Sequence, residues 1–277
     1  MKTLFRFVRW LLLAAFLLAS ALVLHTIYGK PLQIGWFYER VFIEYAVDDP
    51  EMLTSLGMLP SWLDWYSDDL TDRSLARERE MQAKLRDDLA TLRDYDREAL
   101  DEDTRLSYDV LEYFLAIQEE GERFSLHNYP LNQLFGVQNE LPSFLATQHG
   151  IQSEGDAEDY IARLTKFPAM AEQVMAGLRE REQAGILPPT FVVEKVLAEM
   201  RAFTGAPATD NVLYTSFAER LDKLDGDTLS ADDRAALLGE VEAAIAGHVY
   251  PAYQTVIEYY DDLLPRTTGN HGVWALP

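Results

Sequence analysis

The chain has 277 residues, 48% of them hydrophobic, which is enough apolar material for one large domain or two modest ones with a real core. Its 46 Asp and Glu outnumber 24 Lys and Arg for a net charge of −22; three of those cations, Lys2, Arg6 and Arg9, precede residue 10, so the remainder carries −25. A field of that sign repels phosphate backbones, so no nucleic acid is expected as a partner, and the absence of cysteine excludes disulfides, thiolate nucleophiles, Cys-ligated zinc and lipid attachment to an N-terminal Cys.

The first element is apolar. Trp10 to Leu24 carries no charge and a single hydroxyl, Ser20, and extended outward from Leu4 to Tyr28 it can span, since crossing ~30 Å of hydrocarbon takes roughly 20 helical residues. The short cationic flank then stays cytoplasmic and the bulk of the chain faces the periplasmic side of the cell inner membrane. Residues 1–28 thus read as a membrane anchor or signal segment and 29–277 as a helical extracytoplasmic region. Ala19-Ser20-Ala21 has the small-x-small form that signal peptidase accepts, whereas Leu22-Val23-Leu24 continues the run past it and Trp10 and Tyr28 bracket it as interfacial aromatics. A retained anchor is the expectation, a cleaved signal the alternative, and both imply export.

Beyond the anchor the period is helical. Ile34, Phe37, Tyr38, Val41, Phe42 and Tyr45 share one stripe; Asp49-Pro50-Glu51 supplies an N-cap, a first-turn proline and a first-turn acid for a short helix that Gly57 can end. Met81, Leu85, Leu89 and Leu92 form the next stripe, and Leu106, Val110, Tyr113, Phe114 and Ile117 the one after. Gly121 to Gly155 breaks the pattern with Pro130, Gly136, Pro142 and Gly150, predicting a long irregular connection with one short helix at 141–148. A connection of that length tends to be functional, so it is the best local candidate for a ligand-touching surface, and 121–155 is the one plausible subdivision of the exported region.

Asp156 with Asp159 predicts the next N-terminus, followed by Tyr160, Leu164, Phe167, Ala171, Val174 and Leu178, with Pro168 dividing two stacked helices. Val193, Val196, Leu197, Met200 and Phe203 mark another helix up to Gly205; Leu213, Phe217, Leu221 and Leu224 mark one closed by Asp225-Gly226. Ser230 with Asp233 opens a long helix to about Leu264, turning Leu238, Val241, Ile245, Val249, Ala252 and Val256 inward and kinked at Pro251. No alternating strand pattern and no repeat appears, so the fold class is all-α, a multi-helix array behind an N-terminal transmembrane or signal-anchor helix.

The chemistry is sparse. None of His25, His127, His149, His248 and His271 has another histidine four residues away, so a helical His-Glu-x-x-His zinc site cannot form. His248 shares an apolar stripe and reads as a core residue; His127 and His149 lie in the irregular connection and are the two whose placement suits a pocket. Gly-x-Ser-x-Gly, Ser-x-x-Lys and the phosphate-cradling Gly-x-x-x-x-Gly-Lys are missing. Asp101, Glu102 and Asp103, or Glu119 and Glu120, could imitate an acid–base couple, but such runs are ordinary for solvated helix ends.

Several stretches taken in order, Pro130 to Gln138, Leu141 to Leu145 with His149, Asp156 to Leu164, Gly185 to Pro189 with Val192 to Val196, and Gly272 to Pro277, resemble the N-terminal half of the bacterial domain of unknown function 885 family over roughly Phe37 to Pro277. The resemblance implies a helical protein, often exported as a membrane-anchored or lipid-attached form, whose longer members carry His-Glu-x-x-Pro-Gly-His-His in their second half and look like zinc peptidases. This chain stops at Pro277, before that motif, so the resemblance implies no catalytic or metal-binding residue here and zinc only for the missing C-terminal half. It further implies that these helices wall a substrate channel, with Gln133, Gln138, His149, Arg163 and Arg181 as polar lining.

Two readings stay open. In one the chain is the non-catalytic, truncated half of a zinc-peptidase-like protein; in the other it is a self-sufficient periplasmic module that binds a protein or peptide. A fragment predicts an exposed apolar patch around Tyr253, Val256 and Leu263, and a stand-alone fold predicts that those residues are covered. A carboxylate-based hydrolase, the third possibility, would need two buried carboxylates facing each other.

Overall fold

The computed structural model describes residues 2–226, 228–269 and 276–277, and among them every regular element is helical. The closing run Gly272 to Ala275 and His271 lie outside the described residues. The chain divides into two compact units, Met1–Val47 with Glu80–Arg123, and Asp48–Arg79 with Phe124–Pro277.

The first unit holds α1 (Lys2–Tyr28), α2 (Ile34–Val47), the greater part of α4 (Leu75–Arg93) and α5 (Glu102–Gly121). Within α1, Phe5–Tyr28 forms 24 residues of mean hydropathy 2.3 with none of it buried, long and apolar enough to cross a membrane. The core of this unit is small: Ile34, Phe37 and Val41 from α2, Leu89 and Leu92 from α4, and Tyr108 and Leu115 from α5. The expected α2 stripe therefore holds, except that Phe42 stands exposed.

The α5 stripe faces outward. Leu106, Val110, Tyr113, Phe114 and Ile117 are 48 to 68% exposed, while Tyr108, Leu111 and Leu115, half a turn round the helix, make the packed face. The helix has two apolar faces, and spacing alone does not say which one the core takes. The dense acids here do behave as helix-end chemistry: Asp101 caps α5 through the Thr104 amide, with Glu102 and Asp103 in the first turn.

The second unit opens with α3 (Pro50–Leu56), which is built as its sequence dictates: Asp49 accepts from the Met52 amide, Pro50 sits in the first turn, and Gly57 closes the helix at φ 57°. The irregular connection contains a 3-10 turn at Glu122–His127 and α6 (Val137–Thr147), which begins earlier than expected. α7 (Glu154–Thr165) starts one turn sooner than Asp156 suggested, because Ser153 is the cap and Asp156 its reciprocal partner at the third position. Lys166 and Pro168 separate it from α8 (Phe167–Gln183), and α9 (Thr190–Thr204) and α10 (Val212–Leu221) follow.

The last long helix is interrupted. α11 (Ala231–Ala244) passes through a π-turn at Ile245–Val249 into α12 (Tyr250–Leu263). Pro251 has no amide to donate, and its ring would meet the carbonyl four residues back; the wider turn, in which the Tyr250 amide reaches the Ile245 carbonyl, absorbs both problems. Leu237 rather than Leu238 takes the buried position on α11, and His248 is only partly covered. Tyr253, Val256, Tyr260 and Leu263 of α12 are buried in a large core shared with α6 to α11, so the surface that a fragment was expected to expose there is covered.

Asp49 also accepts from the Thr71 hydroxyl. Asp49→Ala should therefore cost more than an isolated cap, about 1 to 2 kcal/mol, read as a lowered thermal midpoint of the full chain in detergent with helicity at low temperature unchanged.

Candidate functional site

Of the residues expected as polar lining, Gln138, His149, Arg163 and Arg181 are gathered into three buried hydrogen-bonded knots, all in the second unit, and Gln133 sits beside one of them. The first centres on Arg163, wholly buried on α7. Its Nε donates to the Asp69 carbonyl at 2.8 Å, Nη1 to His149 Nδ1 at 2.7 Å, and Nη2 to Thr54 Oγ1 at 2.7 Å and to the Tyr66 and Pro50 carbonyls at 3.2 and 3.3 Å. Carbonyls, a hydroxyl and an imidazole thus hold the cation, and Glu51, Asp64, Asp68 and Asp159 offset its charge from further away. The guanidinium also lies over the Phe144 ring, 5.1 Å from its centre.

His149 is fixed by the same contacts. Because Nδ1 receives the Arg163 donor, Nε2 carries the proton and donates it to the Asp156 carbonyl at 2.9 Å, while the ring stands edge-on to Tyr160. Burial, reinforced by the guanidinium, pushes His149 down to about 4. Both ring nitrogens are engaged, which leaves no lone pair for a metal and no free base for a proton transfer.

The second knot surrounds Gly136. Asn132 Oδ1 accepts from the Leu134 and Phe135 amides, Gln138 Nε2 donates to the Asn132 carbonyl at 2.7 Å and to Glu199, and the Tyr253 hydroxyl donates to the Gln138 carbonyl. A Cβ on Gly136 would fall within 3.0 Å of the Asn132 backbone N and O, so this turn requires glycine for space and not for an unusual φ, which is −74°. The tightened loop presents Leu134 and Phe135 to solvent, Phe135 at 82% exposure. Gln133 sits on it half-buried, its Oε1 without a partner, as is Oε1 of Gln138.

In the third knot Arg181 of α8 donates through Nε to the Asn128 carbonyl and Oδ1, both at 3.1 Å, and through Nη1 to the Gly177 carbonyl. Burial lowers its affinity for the proton, and Glu78, 3.9 Å away, opposes that. Arg181 thereby anchors the start of the irregular connection to α8.

No group of three or more His, Asp or Glu that could hold a metal occurs among the described residues, so a zinc ion does not fit these side chains. Asp101, Glu102, Asp103, Glu119 and Glu120 are all exposed. The surface that stands out is apolar. Each unit has its own exposed apolar residues: the outward stripe of α5 in the first and, in the second, Leu134 and Phe135 with the separate pair Trp62 and Trp65. Sequence spacing located the α5 stripe without assigning its direction; the face it did not pick out is the packed one at Tyr108, Leu111 and Leu115.

The sequence pattern of the family described as "Bacterial protein of unknown function (DUF885)" matches residues 50–273. Among solved structures, the chain is similar to the "putative lipoprotein from Colwellia psychrerythraea", with a TM-score of 0.75 at 21% identity over 87% of this chain. That identity establishes a shared fold alone. The matched region is 44% of the Colwellia chain, so this chain spans less than half the length of that relative. No protein of curated function matches the sequence.

Two predictions follow from the knots. Since folded His149 holds its proton more weakly than the unfolded chain does, the stability it protects is complete above pH 6.5 and is lost as pH falls toward about 4; this residue alone should remove about 2 kcal/mol by pH 5. Urea unfolding at pH 8 and pH 5 would show that slope in the native chain and a shallower one in His149→Gln. Gly136→Ala should cost about 1 to 3 kcal/mol through overpacking and expose the 130–136 loop to limited proteolysis.

Proposed function

We propose that this chain, which belongs to the bacterial DUF885 family of unknown function, is a membrane-anchored helical module that binds a polypeptide and performs no chemistry itself. The observation that carries this reading is the outward face of α5: five large apolar side chains, fully formed as a helical stripe, on a helix whose opposite face already packs in the core. Such a face gains by burial against another apolar surface at about 25 cal/mol per Å². The exposed carboxylates Glu102, Asp103, Glu119 and Glu120 at the helix ends select a polypeptide whose rim is neutral or basic.

In this reading Phe5–Tyr28 is a retained anchor, Lys2, Arg6 and Arg9 remain on the cytoplasmic side, and the two units lie in the periplasm, attached to the inner membrane. The resemblance to zinc-peptidase-like proteins suggests one identity for the polypeptide: the remainder of the longer family architecture, carrying its own metal motif. The 44% coverage of the Colwellia chain favours it. The burial of Tyr253, Val256 and Leu263 argues against α12 as the docking face.

A photoreactive amino acid at Val110, in native membranes, should crosslink to a polypeptide, and Leu106→Ser with Tyr113→Ser and Ile117→Ser should abolish that product while moving stability by less than about 1 kcal/mol. Absence of any crosslinked polypeptide would defeat the reading. So would stoichiometric zinc in the purified full chain, lost on replacing His149.

A further inference from the structure

We infer that α2 lies along the outer surface of the bilayer, with the face formed by Trp36, Ile43 and Val47 seated at the boundary between headgroups and acyl chains. The inference rests on the reading of α1 as a retained anchor and goes beyond it, because a spanning helix by itself leaves the following segment free to leave the membrane.

The junction is built against such freedom. Arg40, in the middle of α2, turns back to the end of α1 and donates through Nη1 to the Gly29 carbonyl at 2.5 Å and to the Thr26 and Ile27 carbonyls at 3.3 and 3.4 Å. Those are carbonyls left open where a helix ends, and a guanidinium there also opposes the negative end of the helix dipole. Lys30 donates to the Asp94 carbonyl and Tyr95 to the Pro31 carbonyl at 2.6 Å, which fixes the linker from its other side. Asp88, buried beneath Arg40 and 3.5 Å from its Nη2, is pushed up to about 6, chiefly by its own burial, and adds a charged partner to the carbonyls that hold the guanidinium. Since α2 begins six residues after Tyr28, a spanning α1 delivers it at the surface of the bilayer.

The chemistry of the outer face fits that place. Ile34, Phe37 and Val41 fill the core, whereas Trp36, Ile43 and Val47 fall on the opposite side of the helix and are exposed, as is Leu32 just before it. A helix apolar on both sides has no soluble resting place for its second face. Tyr28 at the end of α1, 84% exposed, and Trp36 one turn into α2 form the aromatic pair that an interface prefers. Glu39 is the exposed charge beside the stripe, while Arg40 and Glu44 pair with each other. A face with so little charge, on a chain of −22, is suited to zwitterionic lipid and is held by apolar burial, not by anionic headgroups.

The native chain has no cysteine, so Ile43→Cys or Val47→Cys gives a single labelled site in the full chain. Labelled with an environment-sensitive dye and reconstituted in phosphatidylcholine vesicles, both sites should emit at shorter wavelength and be quenched several-fold more by lipid-borne nitroxides than a dye at Asp232→Cys on α11. Flotation after alkaline washing separates the two claims. A chain that fails to float overturns the anchor reading. One that floats while positions 43 and 47 behave like 232 overturns only the seating of α2. A blue shift without lipid quenching, diluted away by unlabelled protein, would assign the face to a second copy and overturn it equally.

Discussion

The second unit depends on one buried cation. Arg163 joins the start of α3, the loop at Tyr66 and Asp69, and the segment ending α6 through a single planar group with directional donors. Placing a guanidinium at zero exposure costs several kcal/mol in desolvation, which is offset only while every donor finds an acceptor. The same contacts satisfy carbonyls in segments that form no regular structure, so the cation and the irregular backbone stabilise each other. A lysine could not replace it, because three of the contacts need the reach and spacing of the fork. This explains why the polar residues of the 121–155 connection and of α7 look functional in sequence and are occupied in the fold: they hold long connections shut.

That closure gives the two units different characters. The second buries a continuous core from α6 to α12, with Arg163, His149 and Arg181 held by hydrogen bonds. The first has a core of a few residues and leaves apolar faces outward on α1, α2 and α5. A soluble helix with apolar residues on both sides is unstable as a design unless something takes the second face. Three helices of this unit leave apolar faces exposed, which is what the proposed contacts with lipid and polypeptide rest on.

Much of the fold was legible because its signals are local. Asp49 with Pro50 and Gly57 could be read as a complete short helix, and Gly205 and Ser230 with Asp233 marked true ends, since caps act within one turn. Ser153 was passed over for Asp156 because both satisfy the same spacing rule, and only the paired hydrogen bonds decide between cap and partner. The π-turn was visible only as a kink at Pro251. The orientation of α5 was out of reach for a different reason: periodicity reports that an apolar face exists and not which of two faces the neighbouring helices supply with a core. For the candidate site, Gln138, His149, Arg163 and Arg181 were singled out as polar lining only through the family resemblance; many of their partners are backbone carbonyls, which leave no trace in residue identity.

The charge distribution completes the argument about α5. Two copies meeting stripe to stripe would bring Glu102, Asp103, Glu119 and Glu120 of each into the same rim, and like charges placed together at a drying surface are strongly unfavourable. The acidic excess of the whole chain adds a long-range repulsion of the same sign. An exposed apolar stripe would ordinarily invite self-association on a membrane, where anchored copies are concentrated in two dimensions. Here the carboxylate rim makes self-pairing costly while leaving the apolar energy available to a partner without that charge. The acids that read in sequence as mere solvated helix ends thus acquire a second consequence once the stripe between them is known to face outward: they decide who may cover it.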